Sequence, residues 1–208
     1  MMTNEKMIKH LLDIGALRSE RIKQALLAFP REEFVPAEEF HRAYEDHPLL
    51  IGQGQTISQP RTVVFMLEEL GAQEHDNVLD IGAGSGWQSA LLSYLVGNRG
   101  HVWAYEILEQ EVGKFGKANL EKFNLENVDY FIGDASEHWT EHAPYNRIIS
   151  GAAFDNIPEE LKDLLEIGGC LVTPTQDHNM VCISRTAEEG EKEFIVKNTF
   201  GFEFVPFI

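Results

Sequence analysis

The sequence predicts an α/β fold built on a doubly wound, mostly parallel sheet. From Asn77 onward, short apolar runs typical of strands alternate with segments of helical periodicity. This alternation favours parallel strands with helices on both faces of the sheet. A glycine-rich stretch follows the first of these strands, as in a strand–turn–helix unit. The 208 residues, 43% of them hydrophobic, are enough for one domain with a substantial core.

An N-terminal helical extension is expected before the sheet begins. Apolar residues recur with helical spacing over residues 4–29. Gly15 interrupts the pattern, and Ser19 is placed to cap a second helix. Residues 44–59 are rich in glycine and have no clear period. They predict a loop that either covers a site or serves only as a connection.

The remaining elements follow from apolar runs and the turn residues that flank them. Strands are expected near residues 77–81, 101–105, 128–132, 146–150, 169–174, 179–185 and 195–205. Helices are expected near residues 63–70, 87–96, 109–123 and 158–165. The connection before the strand at 179–185 is too short for a crossover, which predicts a C-terminal antiparallel hairpin. The charged segment 187–193, which contains Gly190, predicts a hairpin loop.

The most informative stretch is Val-Leu-Asp-Ile-Gly-Ala-Gly-Ser-Gly-Trp at residues 78–87. Its glycines permit a sharp turn and a close approach of a ligand to the backbone. The N–H groups at the start of the following helix favour a negative or electron-rich group. A nucleotide-like cofactor is therefore expected. The dinucleotide fingerprint G-x-G-x-x-G needs a glycine where this chain has Trp87, which weakens a dinucleotide interpretation.

Two acidic residues at the ends of the next strands support such a cofactor. Glu106 follows the strand near 101–105, at the spacing where a carboxylate accepts hydrogen bonds from a ribose diol. Asp134 follows the strand near 128–132 and is placed to accept a hydrogen bond from the exocyclic amine of adenine. Each acid alone could equally be a surface or capping residue. Their shared position at the carboxyl ends of successive strands favours ligand binding.

Composition narrows the class of partner. The formal net charge of −17 argues against nucleic acid and against an anionic membrane surface as partners. The N-terminal residues carry no apolar signal segment, so a cytoplasmic location is expected. Cys170 and Cys182 fall in strand-like runs and are expected as buried free thiols. No metal site is expected, because His138 and His142 have helical spacing but no third ligand.

Further motifs, together with the glycine loop, identify a family. They are Pro-Arg-Glu-Glu-Phe-Val-Pro at 30–36, Ala-Tyr-Glu-Asp-His-Pro-Leu at 43–49, Ile-Gly-Gln-Gly-Gln-Thr-Ile-Ser-Gln-Pro at 51–60, Gly-Asp at 133–134, Ala-Pro-Tyr-Asn at 143–146, Gly-Gly at 168–169 and Phe-Val-Pro at 204–206. With them, the chain resembles protein-L-isoaspartate (D-aspartate) O-methyltransferases over nearly its whole length. The resemblance implies a Rossmann-like methyltransferase that uses S-adenosyl-L-methionine. A single domain of residues 1–208 is expected, with N-terminal helices and an active-site loop in 1–60 and the cofactor-binding core in 61–208.

The resemblance also implies the reaction and its site. The chain would methylate the carboxylate of isoaspartyl residues in damaged peptides and proteins, and it is expected to act as a monomer. The residues expected to contact the cofactor are Thr56, Ile57, Ser58, Asp80, Gly82, Ala83, Gly84, Gly86, Glu106, Ile107, Gly133, Asp134 and Ala135. The residues expected to contact the substrate are Thr56, Ser58, Ala153 and Val205. Ser58 is the expected catalytic residue and would orient the acceptor carboxylate by a hydrogen bond. The alternative role for Ser58 is to cap the following helix.

Departures from the family pattern keep other functions open. The chain has Ala135 where the family has glycine, and Thr175-Gln176 where the family has Val-Gly. Phe154 and Asp155 replace a small residue and a proline in a loop expected near the acceptor. They motivate a methyltransferase with a different acceptor as one alternative. A partner-binding module that keeps the cofactor site without catalysis is another, and the Thr-Ile-Ser run at 56–58 counts against it.

Overall fold

A computed structural model describes residues 2–186 and 193–207, so the loop predicted at 187–193 lies almost entirely outside the described residues. The sheet has seven strands in the order β5-β4-β3-β6-β7-β8-β9. The strands of this sheet are β3 (Asn77–Ile81), β4 (His101–Glu106), β5 (Val128–Ile132), β6 (Tyr145–Ser150), β7 (Leu165–Pro174), β8 (Asn179–Arg185) and β9 (Phe194–Phe200). Pairs from β5 through β7 are parallel, and β7–β8 and β8–β9 are antiparallel. The predicted fold class and C-terminal hairpin are confirmed.

The helices that accompany the sheet lie close to the predicted positions. They are α3 (Pro60–Leu70), α4 (Trp87–Val96), α5 (Lys114–Glu121) and α6 (Glu159–Asp163). The helix predicted near 109–123 is divided, because a π-helical turn at Glu109–Gly113 precedes α5. The last strand was predicted to run to residue 205, but β9 ends at Phe200.

The N-terminal helical extension is also confirmed. It consists of α1 (Asn4–Asp13) and α2 (Glu20–Ala28). The hydroxyl of Ser19 accepts a hydrogen bond from the backbone N–H of Ile22 at 3.4 Å, so Ser19 caps α2 as expected. Two short 3₁₀ helices, Arg31–Phe34 and Ala37–Arg42, connect α2 to the next segment.

The loop predicted over residues 44–59 contains regular structure, and in this respect the prediction was wrong. It holds an antiparallel hairpin of β1 (Leu49–Gly52) and β2 (Gln55–Ile57). Residues 52–54 turn the chain with positive φ at each position. The strands are too short, and too closely spaced around glycine, to show the period-2 pattern in sequence.

The core lies on both faces of the sheet. One cluster packs α1 to α5 against the sheet, and the other packs α6 and the segment around Phe154 against the opposite face. Cys170 and Cys182 are buried free thiols, as predicted. Among residues 2–186 and 193–207, none of the helices has the length and apolar character that a bilayer crossing requires. The chain passes from β5 back to β6 on the other side of β3, and this switch in strand order marks the edge where α/β sheets bind ligands.

Candidate active site

A cleft lies at the carboxyl ends of β3, β4, β5 and β6, where the switch in strand order predicts it. Nine of the predicted site residues line it, namely Thr56, Gly82, Gly84, Glu106, Ile107, Gly133, Asp134, Ala135 and Val205. Ile51 and Gln55 of the β1–β2 hairpin form part of its wall. We refer to it as the cofactor cleft. The structure therefore brings together residues from four strand ends and from the hairpin that the sequence did not reveal.

The glycine loop forms the floor of the cofactor cleft. Gly82, Gly84 and Gly86 have φ values of 69°, 53° and 83°, which L side chains rarely adopt. A Cβ atom at Gly84 would lie 3.4 Å from the Cδ1 atom of Ile51, so the loop and the hairpin are in close contact. Trp87 begins α4 and is buried, with its indole N–H donating to the carbonyl of Phe29 at 3.0 Å. The residue that replaces the third glycine thus anchors the N-terminal extension.

The Glu106 carboxylate joins β4 to the glycine loop. It accepts hydrogen bonds from the N–H groups of Gly84 and Leu108, each at 2.9 Å. Burial raises the pKa of Glu106, and these N–H donors oppose the rise. Each carboxylate oxygen has two lone-pair positions, so both oxygens retain capacity for a further donor. A ribose diol supplies two such donors, and the position of Glu106 therefore fits an adenosine-containing cofactor.

Asp134 combines the two roles that the sequence left open. Its carboxylate accepts a hydrogen bond from the N–H of Ser136 at 2.8 Å and caps the 3₁₀ helix Ala135–Glu137. Gly133, Asp134 and Ala135 also line the cofactor cleft. Capping uses one lone-pair position of the carboxylate, so the role does not conflict with accepting a hydrogen bond from an amine.

Five predicted cofactor residues do not line the cofactor cleft: Ile57, Ser58, Asp80, Ala83 and Gly86. Asp80 is fully buried and accepts hydrogen bonds from Gln88 Nε2 at 2.8 Å and Ser89 Oγ at 2.6 Å. Burial raises the pKa of Asp80 to about 6. Asp80 thus ties the end of β3 to the first turn of α4 beneath the glycine loop.

Three residues that support the glycine loop were absent from the sequence predictions. The Tyr130 hydroxyl donates to the carbonyl of Gly84 at 2.8 Å, and Asn119 Nδ2 donates to the carbonyl of Ser85 at 3.0 Å. Gly116 lets α5 approach the loop, because a Cβ atom there would lie 2.1 Å from the carbonyl oxygen of Gly84. A glycine inside a helical pattern was the available signal for this contact.

A second cleft adjoins the first, and we call it the acceptor cleft. Its lining includes Ser58, Arg61, Phe65, His178 and the C-terminal segment 199–205. Thr56, Gly151 and Val205 line both clefts, so the two spaces meet at these residues. Ser58 therefore stands on the acceptor side of the meeting point.

The capping alternative for Ser58 does not agree with the structure. α3 begins at Pro60, and its N-cap position, Gln59, makes no side-chain capping hydrogen bond. Instead, the Asp46 carboxylate accepts from the backbone N–H of Arg61 at 2.9 Å, so the cap comes from the preceding loop. Within residues 2–186 and 193–207 the Ser58 hydroxyl has no hydrogen-bond partner, which leaves it available to a ligand.

Two of the residues that depart from the family pattern, Phe154 and Asp155, line neither cleft, whereas a third, Ala135, lines the cofactor cleft. Phe154 is buried in the second core cluster, and its ring lies 4.5 Å from that of Phe207. Asp155 is exposed and lines neither cleft. Ala153, a predicted substrate residue, is also buried, and its N–H donates to the carbonyl of Val205 at 2.8 Å. Ala153 therefore positions the wall of the clefts through its backbone.

His138 and His142, the two histidines with helical spacing, take part in acid and aromatic contacts. His138 pairs with Glu141 at 2.7 Å, and His142 stacks on Trp103 at 4.5 Å. The hydrogen bond to Glu141 raises the pKa of His138. In the described part of the chain, no group of three His, Cys, Asp or Glu side chains is arranged to hold a metal ion.

Comparison with known proteins identifies the family of this chain. The family model for protein-L-isoaspartate(D-aspartate) O-methyltransferase matches residues 2–208. A protein-L-isoaspartate O-methyltransferase of Staphylothermus marinus is 41% identical over 209 residues, covering 98% of this chain and 92% of the relative. One of Methanothermobacter thermautotrophicus is 37% identical over 210 residues, covering 98% and 94%. A Plasmodium falciparum structure with bound S-adenosyl-L-homocysteine shares the fold, with a TM-score of 0.85, 21% identity and coverage of 99% and 98%. This chain therefore belongs to the protein-L-isoaspartate (D-aspartate) O-methyltransferase family.

Proposed function

We propose that the two adjoining clefts divide the work of S-adenosyl-L-methionine-dependent methylation of L-isoaspartyl residues. The cofactor cleft holds the methyl donor, and the acceptor cleft admits the damaged peptide. The observation that carries this assignment is the junction at Thr56, Gly151 and Val205, where both clefts share the same wall. A methyl group can pass between two ligands only where their sites meet in this way.

The residues of the cofactor cleft suit the cofactor. Glu106 presents a carboxylate for the ribose hydroxyls, and Asp134 presents one for the adenine amine. When bound, S-adenosyl-L-methionine supplies an electrophilic methyl group on a sulfonium sulfur. The floor at Gly82 and Gly84 leaves backbone within reach, since neither residue carries a side chain.

The acceptor needs orientation more than activation. A carboxylate is already ionised at pH 7, so no general base is required. We assign to Ser58 the task of donating a hydrogen bond to one carboxylate oxygen. The other oxygen would bond to the methyl carbon as the sulfur–methyl bond breaks, which would leave the methyl ester and S-adenosyl-L-homocysteine. The β1–β2 hairpin contributes by covering the cofactor cleft with Ile51, which excludes water from the reacting groups.

Radiolabelled methyl transfer to a synthetic isoaspartyl peptide, compared with its normal aspartyl twin, tests the proposal. Only the isoaspartyl peptide should accept label. Ser58→Ala should lower transfer at least 100-fold while the Kd for S-adenosyl-L-homocysteine stays within threefold, because the hydroxyl acts on the acceptor. Ser19→Ala is the matched control. It removes a genuine helix cap, so it should lower stability by about 1 kcal/mol and leave transfer unchanged.

Other outcomes identify the alternatives. Cofactor binding without transfer to the peptide would favour a different acceptor or a binding module, and equal losses of transfer and cofactor affinity in Ser58→Ala would remove Ser58 from catalysis. The positions of Phe154 and Asp155, outside both clefts, weaken the case for a different acceptor.

The proposal also covers the oligomeric state of the chain and its location in the cell. A cytoplasmic monomer that binds neither nucleic acid nor membrane remains our prediction, and the net charge of −17 supports it. A single domain over residues 1–208 also remains a prediction, supported by one core cluster that includes both Met7 of α1 and Trp87 of α4. Light scattering of the purified chain tests the monomer.

A further inference from the structure

Arg31 is a buried cation whose partners are backbone carbonyls. Its side chain is 0% exposed. One terminal nitrogen, Nη1, donates to the carbonyl of Ala43 at 2.7 Å, and the other, Nη2, donates to the carbonyls of His47 and Ser58 at 3.0 Å and of Ile57 at 3.3 Å. In the described chain no carboxylate lies within ion-pair distance of it. A buried charge without an ion pair is costly, which makes Arg31 a candidate for a specific role.

The surroundings keep Arg31 charged and fixed. Burial lowers the pKa of Arg31 to about 9, and the nearby acids Asp46 and Glu39 oppose that shift, so the guanidinium is protonated at neutral pH. The centre of the guanidinium lies 5.5 Å from the centroid of the Trp87 ring, a cation–π contact. Trp87 is the first residue of α4 and follows the glycine loop directly.

Arg31 therefore contacts both the segment that carries Ser58 and the helix that follows the glycine loop. One side of the guanidinium holds the carbonyls of Ile57 and Ser58, where β2 ends and the acceptor cleft begins. The guanidinium carbon also lies over the ring of Trp87, the first residue of the helix that follows the glycine loop. The Ser58 side chain makes no hydrogen bond within residues 2–186 and 193–207, so its orientation depends on its backbone.

We propose that Arg31 is a positioning residue for methyl transfer, which sets the Ser58 hydroxyl relative to the cofactor loop by binding the Ser58 carbonyl. This proposal rests on the proposed function of Ser58. A planar, forked cation can donate to several carbonyls while its centre lies over an indole ring. A lysine has a single ammonium group and cannot satisfy the same set.

The variants Arg31→Lys and Arg31→Met test the proposal. Turnover is expressed per binding site for S-adenosyl-L-homocysteine, counted by calorimetry, so that unfolded molecules do not contribute. We expect kcat on an isoaspartyl peptide to fall at least tenfold in Arg31→Lys and further in Arg31→Met. The peptide KM and the Kd for S-adenosyl-L-homocysteine should stay within threefold. Leu161→Ala, in the second core cluster, is the control for lost stability and should keep kcat within twofold.

A double-mutant cycle with Ser58→Ala shows whether Arg31 acts through Ser58. If it does, Arg31→Lys should slow the Ser58→Ala variant by less than twofold. Additive losses, an unchanged kcat in both Arg31 variants, or a parallel loss of kcat and cofactor affinity would overturn the proposal. Failure of both variants to bind S-adenosyl-L-homocysteine would also count against it, because Arg31 would then serve folding alone. A wild-type chain that does not methylate the peptide would instead refute the proposed function.

Discussion

Gly116→Ala should displace the glycine loop and weaken binding of S-adenosyl-L-homocysteine. The new Cβ atom would lie 2.1 Å from the carbonyl oxygen of Gly84 and 2.5 Å from the hydroxyl oxygen of Tyr130. Ordinary contacts between carbon and oxygen are about 3.3 Å or longer, so α5 and the loop must separate by about 1 Å. That shift strains the hydrogen bonds that Gly84 makes with Tyr130 and with Glu106.

The expected loss of affinity for S-adenosyl-L-homocysteine follows from those two hydrogen bonds. Each contributes about 1 kcal/mol, so we expect the Kd for S-adenosyl-L-homocysteine to rise at least tenfold, which is about 1.4 kcal/mol. A displacement of 1 Å at the reacting groups lowers kcat/KM by roughly 100-fold. Isothermal titration calorimetry measures the first quantity, and the radiolabelled peptide assay measures the second.

A matched control separates loop displacement from helix stability. Ala118 lies on the exposed side of the same helix, and Ala118→Gly reverses the substitution. It should lower the free energy of unfolding by about 1 kcal/mol through helix propensity and leave the Kd unchanged. A Gly116→Ala chain whose Kd lies within twofold of the wild-type value would refute the proposed contact between α5 and the loop.

Two further perturbations test the supports of the cofactor cleft. Asp80→Asn removes an acid whose pKa is raised by burial to about 6, against about 3.9 in the unfolded chain. The stability linked to this proton is fully present below about pH 4 and is lost as the pH rises through 6. Relative to the variant, the wild-type chain should therefore lose about 2 kcal/mol of unfolding free energy between pH 4 and pH 7 in urea titrations, and a constant difference would contradict the burial of Asp80. Glu111→Ala removes the carboxylate that accepts from the N–H of Gln53 at 3.0 Å at the tip of the β1–β2 hairpin. The dissociation rate of S-adenosyl-L-homocysteine should rise about two- to tenfold in stopped-flow measurements. Glu109→Ala, an exposed acid on the same turn, should leave it unchanged, and equal rates in all three chains would exclude the hairpin as a cover.

Local sequence patterns were sufficient for most elements of the sheet. The strand at residues 77–81 was predicted at its observed bounds, because an apolar run there ends in a glycine turn. The β1–β2 hairpin was missed because strands of four and three residues carry too few positions for a period. The helix near 109–123 was predicted whole, although periodicity of this length does not distinguish a π-helical turn from an α-helix.

The residues of the candidate site also form two groups, those that local sequence patterns predict and those that only packing reveals. Glu106 and Asp134 could be predicted because parallel strands bring their carboxyl ends to one edge, so position along the chain implies position in the fold. The contact of Gly116 with Gly84, or of Arg31 with Ser58, joins segments far apart in sequence. The Asp46 cap of α3 likewise comes from a preceding loop, which is why Ser58 alone looked like a capping residue.

By itself the sequence determined the fold class, the class of cofactor and the family, because each depends on local patterns: strand–helix alternation, a glycine loop and short motifs. Only the tertiary structure decided which residues face the clefts. It placed Asp80 beneath the loop, Phe154 in the core and the Ser58 hydroxyl at the acceptor cleft. The physical reason is that burial and hydrogen bonding between distant segments depend on packing, which no single stretch of sequence contains.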